Sequence, residues 1–70
     1  MPAITFTLTE DYIELIKLLK LVRLCESGGM AKMIVEDGLV TCNNQIELRK
    51  RYKVKKGDII EYNNTVITIE

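Results

Sequence analysis

Two stretches of this sequence carry side chains whose type and spacing could do chemistry. The first is "RKRYKVKK", residues 49–56, with six basic groups in eight positions. Unpaired charges are too costly to bury, so Arg49, Lys50, Arg51, Lys53, Lys55 and Lys56 must face solvent or a partner. Phosphate oxygens suit them: arginine offers a planar donor fork and lysine a mobile point charge. If residues 49–54 run extended, Arg49, Arg51 and Lys53 share one face, while Lys50, Tyr52 and Val54 share the other. Taken alone, such a run also fits a solvated loop kept soluble by its charge. Tyr52 is either a platform for an unpaired base or a half-buried core residue.

The second stretch is "ESGGMAK", residues 26–32. Ser27 can accept backbone N–H bonds at a helix start, and Gly28 and Gly29 put no side chain at a tight entry. Free N–H groups there attract phosphate, and glycine lets a nucleic-acid backbone come close. Lys32, within about a turn of that start, opposes the helix dipole unless an anion offsets it. The glycines are not a nucleotide-binding loop, since GxxxxGK[ST] and the body it needs are missing. A purely structural turn is the alternative.

Catalysis is disfavoured. The chain has no histidine, so proton transfer near neutral pH would need a strongly shifted cysteine, lysine or carboxylate. Glu26 beside Cys25 is expected to raise that thiol's pKa, and Cys42 falls in an expected strand. Without CxxC spacing, the two cysteines read as reduced, packed thiols rather than a disulfide or zinc site. Glu10 with Asp11 reads as helix capping, and Glu36 with Asp37 as a solubilising pair. No enzyme activity, metal or cofactor is expected.

Seventy residues make one small domain, residues 1–70, with one modest core. Formal net charge is zero, but its distribution is uneven: residues 1–48 carry four basic and seven acidic groups, residues 49–56 carry +6, and residues 57–70 carry −3. The local field of the middle segment can draw a polyanion to one face. The apolar stretch at 12–24 is broken by Glu14, Lys17, Lys20 and Arg23, so it is not a membrane span. With no secretory segment read ahead of the domain, a cytoplasmic, monomeric protein is expected.

These groups must be positioned by a short series of elements. "AITFTL" reads as an edge strand. A helix follows, opening either at Thr9 with Glu10 and Asp11 in its first turn, or near Glu14 after a turn and an extended "YI". "ELIKLLKLVRL" is helical by periodicity, with Leu15, Leu18, Leu19 and Val22 on one face. A second helix spans about "GMAKMIVED" and ends at Gly38, whose lack of Cβ suits a left-handed residue. Met30, Ile34 and Met33 are candidates to pack it on the first helix. "LVTC-NN-QIEL" and "IIEY-NN-TVITIE" read as hairpins turned by paired asparagines, with "KKGD" as another turn. The result is an α+β chain of one strand, two helices and four short strands.

In this order, "LIKLLKLVRLCESGGMAKMIVEDGLVTCNN" followed by "ELRKRYKVKKGDII" resembles the S4 RNA-binding domain, and more closely the small stand-alone S4-like proteins of bacteria. The resemblance covers about residues 13–62. It implies the αL-type fold, two helices on a small curved, mostly antiparallel sheet with a short N-terminal strand, recognising structured RNA that is often ribosomal. Carried over by position, Lys20, Ser27, Gly28, Gly29 and Lys32 would form the helical side of the RNA surface. Arg49, Arg51 and Lys53, with Lys50 between them, would form the loop and strand side. Gly38, Val40 and Asn43 would be architectural. The chain departs from the family pattern at four positions: Glu14 and Ile16 stand around Leu15 where larger S4-containing proteins have an arginine and an aspartate around a leucine, Gly28 stands where arginine follows the serine, and Asn44 stands where glycine follows asparagine in the hairpin turn.

The expected function is therefore non-catalytic binding of structured RNA, such as ribosomal RNA or a ribosome assembly intermediate. The alternative is a protein-interaction adaptor whose basic stripe meets an acidic protein surface, marked by an exposed apolar face at Leu21, Leu24 and Met33.

Overall fold

The computed structural model describes residues 2–70. The first strand, β1 (Ala3–Phe6), is followed by a bend and the two-residue strand β2 (Ile13–Glu14), which leads straight into helix α1 (Leu15–Leu21). The helix therefore opens at the later of the two expected positions. Glu14 is its N-cap, without a side-chain cap bond, so Thr9, Glu10 and Asp11 lie ahead of the helix and cap nothing. Leu15, Leu18 and Leu19 recur at helical spacing and are completely buried.

Helix α1 stops earlier than its periodicity suggests. Arg23 turns left-handed at φ 64°. Its amide donates to the Lys20 carbonyl at 3.0 Å, and the Leu24 amide donates to Leu19 at 3.1 Å. This is the double closure of a helix end in which glycine is the usual residue. Helix α2 (Gly28–Glu36) closes in the same way, with Gly38 at φ 76° and with Gly38 and Leu39 donating to Val35 and Ile34, both at 3.1 Å. At its start, Ser27 Oγ accepts from the Met30 amide at 3.2 Å, as expected of a serine N-cap. Ala31, Ile34 and Val35 face α1 and the core, with Met30 half-buried beside them. Met33 is 56% exposed and packs on nothing in the core.

Four further short strands were expected after α2, but five form: β3 (Thr41–Cys42), β4 (Gln45–Ile46), β5 (Lys53–Val54), β6 (Ile59–Tyr62) and β7 (Thr65–Ile69). The additional strand, β5, pairs antiparallel with β2, Ile13 opposite Val54 and Glu14 opposite Lys53. The other five strands form a sheet in the order β1-β7-β6-β3-β4. It is antiparallel except at one edge, where β1 runs parallel to β7 with Ala3 opposite Val66. Both hairpins turn on asparagine pairs, Asn43–Asn44 and Asn63–Asn64, all four at positive φ. Val40, Cys42, Ile60, Ile67 and Ile69 line the buried side of the sheet and meet the leucines of α1.

Candidate nucleic-acid interface

The basic segment is not the extended strand its alternation allows. Only Lys53–Val54 is strand; residues 49–52 form a turn closed by the Tyr52 amide donating to the Arg49 carbonyl at 3.0 Å. The period-two stripe of Arg49, Arg51 and Lys53 does not form. The physical reason lies at the start of α1, whose first amides lack partners within the helix. The Leu15 amide donates to the Tyr52 carbonyl at 2.9 Å and the Ile16 amide to the Lys50 carbonyl at 3.2 Å. The backbone of the basic turn thus caps the helix, which fixes the backbone that carries the exposed basic side chains.

Each arginine of the turn has a carboxylate partner. Arg49 grips Glu47 through Nε and Nη2 at 2.9 and 3.1 Å, and Arg51 Nε meets Glu14 at 2.8 Å. The hydrogen bonds from Arg49 hold the Glu47 carboxyl below its usual pKa range. The two arginine side chains remain 74% and 76% exposed, so each guanidinium, though paired, stays open to solvent or a partner. Two cations also lie over aromatic rings: Arg49 is 5.1 Å from the Tyr52 centroid, and Lys53 Nζ is 5.0 Å from that of Tyr12.

Tyr52 itself points inward. Its hydroxyl donates to Asp58 at 3.4 Å, and Asp58 also accepts from the Lys55 amide at 3.0 Å and Asn43 Nδ2 at 3.2 Å. Contact with the Cys42 thiol, burial and the Asp58 charge push the Tyr52 phenol well above its ordinary pKa. Asp58 therefore ties three loops together beneath the basic turn. Burial alone raises the Cys25 thiol, and burial is the main cause for Cys42. Glu26, expected to act on Cys25, is not among the causes.

A shallow depression of about 690 Å³ opens over the turn, lined by Leu48, Arg49, Lys50, Arg51, Tyr52, Lys53, Lys55 and, from α2, Glu36. All four loop-side candidates, Arg49, Lys50, Arg51 and Lys53, thus lie around one concavity. On the helical side, Ser27, Gly28 and Gly29 form the start of α2, and an ideal Cβ on Gly28 would sit 3.9 Å from Lys20 Cδ. Lys20 is thereby brought beside that helix start. Lys32 lies one turn before Glu36 on the same helix face and leans back toward the N-terminus, as helical side chains do. It is the fifth residue of α2, about a turn from the helix start, as expected. The first turn of α2 holds no acidic residue, so its dipole is left uncompensated.

Sequence reasoning missed Lys55, Leu48 and Glu36 in the lining of the depression, and Glu14, Glu47 and Tyr12 as partners of its cations. Lys55, Leu48 and Glu47 lie in or beside the basic run and were within reach of a local reading. Glu14, Glu36 and Tyr12 carry no local signal, because folding alone brings them to the turn.

The S4 domain family model matches residues 6–70. The chain belongs to the S4 domain family. The match reaches beyond residues 13–62 on both sides and takes in β2–β7 and the last residue of β1. YbcJ of Escherichia coli (strain K12) is 37% identical over 59 residues, 83% of this chain and 84% of YbcJ. YbcJ of Shigella flexneri matches to the same extent. The solution structure of E. coli YbcJ has a TM-score of 0.71 to this S4 domain at 33% identity, covering 93% of this chain and 84% of that one. That structure is described as revealing an αL motif involved in RNA binding. Among the described residues, no helix is long and apolar enough to cross a membrane, and no group of three or more Cys, Asp and Glu side chains is placed to hold a metal ion.

Proposed function

We propose that this S4 domain binds structured RNA, as a monomer in the cytoplasm and without catalysing a reaction, and that its target is ribosomal RNA or a ribosome assembly intermediate. The observation that carries the reading is the capping of α1 by the basic turn. Backbone bonds from Leu15 and Ile16 fix the turn, so Arg49, Lys50, Arg51, Lys53 and Lys55 present charge on a frame that loses little freedom on binding. Cations carried on a fixed backbone and matched to phosphates and 2′-hydroxyls recognise the shape of folded RNA without reading a long sequence. The start of α2 supplies the second contact: Ser27 caps it, Gly28 and Gly29 admit a phosphate to its free amides, and Lys20 and Lys32 flank it.

The YbcJ description, an αL motif involved in RNA binding, supports the same reading. The adaptor alternative is less well supported. Leu21 and Met33 are exposed, but Leu24 packs against the core, which interrupts the apolar face that would have marked a protein partner.

The test is affinity for structured ribosomal RNA fragments, length-matched single strands and duplex DNA across a salt series. It uses wild type and a folded Arg49→Gln, Arg51→Gln, Lys53→Gln variant. Four phosphate contacts give a log-log salt slope of about 3 to 4. Selective binding to structured RNA that falls in the variant is the expected result. A slope near zero, or equal binding to every polyanion, would reduce the reading to generic charge attraction.

A further inference from the structure

The depression over the basic turn is not built for phosphates alone. Its floor includes Leu48, which is 59% exposed, and the half-buried Tyr52 ring. Phosphate gains nothing from an apolar floor. Around this floor stand five cations, Arg49, Lys50, Arg51, Lys53 and Lys55. An apolar floor with a cationic rim fits a flat apolar group that has anions attached on either side.

The Arg49 plane is positioned for such a group. Glu47 holds its guanidinium at two points, and the Tyr52 ring lies 5.1 Å beneath it. A guanidinium fixed over an aromatic ring is a ready surface for a further planar ring to stack on. One wall is different, because Glu36 contributes the only carboxylate among the lining residues. Its charge repels phosphate and suits a base edge carrying N–H donors, whereas the arginines and lysines of the lining suit phosphates.

Building on the RNA reading above, we propose that this depression receives one unpaired nucleotide of the RNA. Its base stacks on the Arg49–Tyr52 pair against Leu48, and its flanking phosphates meet Lys50, Arg51, Lys53 and Lys55. The preferred target is then folded RNA with a bulged or looped-out nucleotide, not an uninterrupted helix.

The test compares three RNA hairpins of one stem sequence: fully paired, with a single-nucleotide bulge, and with an abasic residue at the bulge. Binding is measured by anisotropy, and the bulged base is 2-aminopurine in a parallel experiment so that stacking is read directly. The bulged hairpin is expected to bind about ten-fold tighter than the paired one. The abasic hairpin should lose most of that gain, and 2-aminopurine fluorescence should be quenched on binding. Arg49→Lys keeps the charge but removes the plane; it should abolish the preference while leaving the salt slope unchanged. Leu48→Ala, at an exposed position, should reduce the preference in the same way. Equal affinity for all three hairpins, or an Arg49→Lys protein that still prefers the bulge, would overturn the nucleotide site while leaving RNA binding intact. Binding to none of the hairpins or ribosomal fragments would overturn the RNA reading itself, and the nucleotide site with it.

Discussion

Arg51 and Glu14, thirty-seven positions apart in the chain, meet at 2.8 Å at the point where the basic turn crosses the start of α1. In the RNA reading proposed above, the carboxylate occupies the place a phosphate would take on Arg51. It helps orient the guanidinium and also competes for it. Because the pair is exposed, its contribution to stability is small and screened by salt.

Glu14→Gln is therefore expected to leave the melting temperature within about 2 °C of wild type. It should raise affinity for structured RNA by about two- to five-fold at low salt, since an internal competitor is lost. A thermal melt and a binding isotherm decide this. Weaker binding would show that Glu14 serves mainly to position Arg51.

Replacing Gly28 and Gly29 together with alanine separates binding from folding. Neither glycine lies at positive φ, and an added Cβ would meet its nearest atom, Lys20 Cδ or Ser27 Oγ, at 3.9 Å in each case. The fold accepts both methyl groups, and α2 gains from alanine's helix preference. The melting temperature should hold or rise while RNA affinity falls about ten-fold, as the methyl groups separate phosphate from the amides. An unfolded double variant would show that the glycines serve the fold.

Arg23 and Gly38 form a natural comparison, since they hold the same left-handed position at the ends of α1 and α2. A side chain there costs about 1 kcal/mol or more. Arg23→Gly should stabilise the domain by about 1 kcal/mol, seen as a rise of about 4–8 °C in melting temperature. Gly38→Ala should destabilise it by a similar amount, about 1 kcal/mol. Urea unfolding of both variants measures the pair directly.

Stability should fall at alkaline pH. Cys25 and Cys42 have pKa values raised from 9.0, and Tyr52 is raised from 10.0. The native state therefore keeps protons that the unfolded chain gives up, so stability is full below about pH 9 and declines above it. Tyr52→Phe keeps the ring under Arg49 but removes the ionisable hydroxyl. It should flatten the decline above about pH 10 in urea melts taken from pH 7 to 11. An unchanged slope would place the effect in the cysteines.

Local chemistry made much of the fold legible. Asn43–Asn44 and Asn63–Asn64 announced both hairpins because few residues accept positive φ so readily. Ser27 and Gly38 marked the two ends of α2 for equally local reasons. Arg23 did not mark the end of α1, because arginine carries no preference for the conformation that tertiary packing imposes on it. The shape of residues 49–52 was hidden too. It is set by unpaired amides at Leu15 and Ile16, more than thirty residues away, and by a β2–β5 pairing too short to show a period. The nine RNA-side candidates were named from the basic run, the helix start and the family resemblance. Arg49, Lys50, Arg51 and Lys53 meet at one depression, while the approach of Glu14 and Glu36 to it emerges only from the folded chain.

The parallel pairing of β1 with β7 has a consequence for how this domain is made. Ala3 lies opposite Val66, so an early-synthesised strand finds its neighbour only once a segment more than sixty residues downstream has left the ribosome. Until then β1 has no place in the sheet, and the sheet edge it covers does not exist. The two helices and the β3–β4 hairpin rely on nearer neighbours and can form first. Closure of this edge therefore waits on synthesis of β7, whatever the rest of the domain has already built.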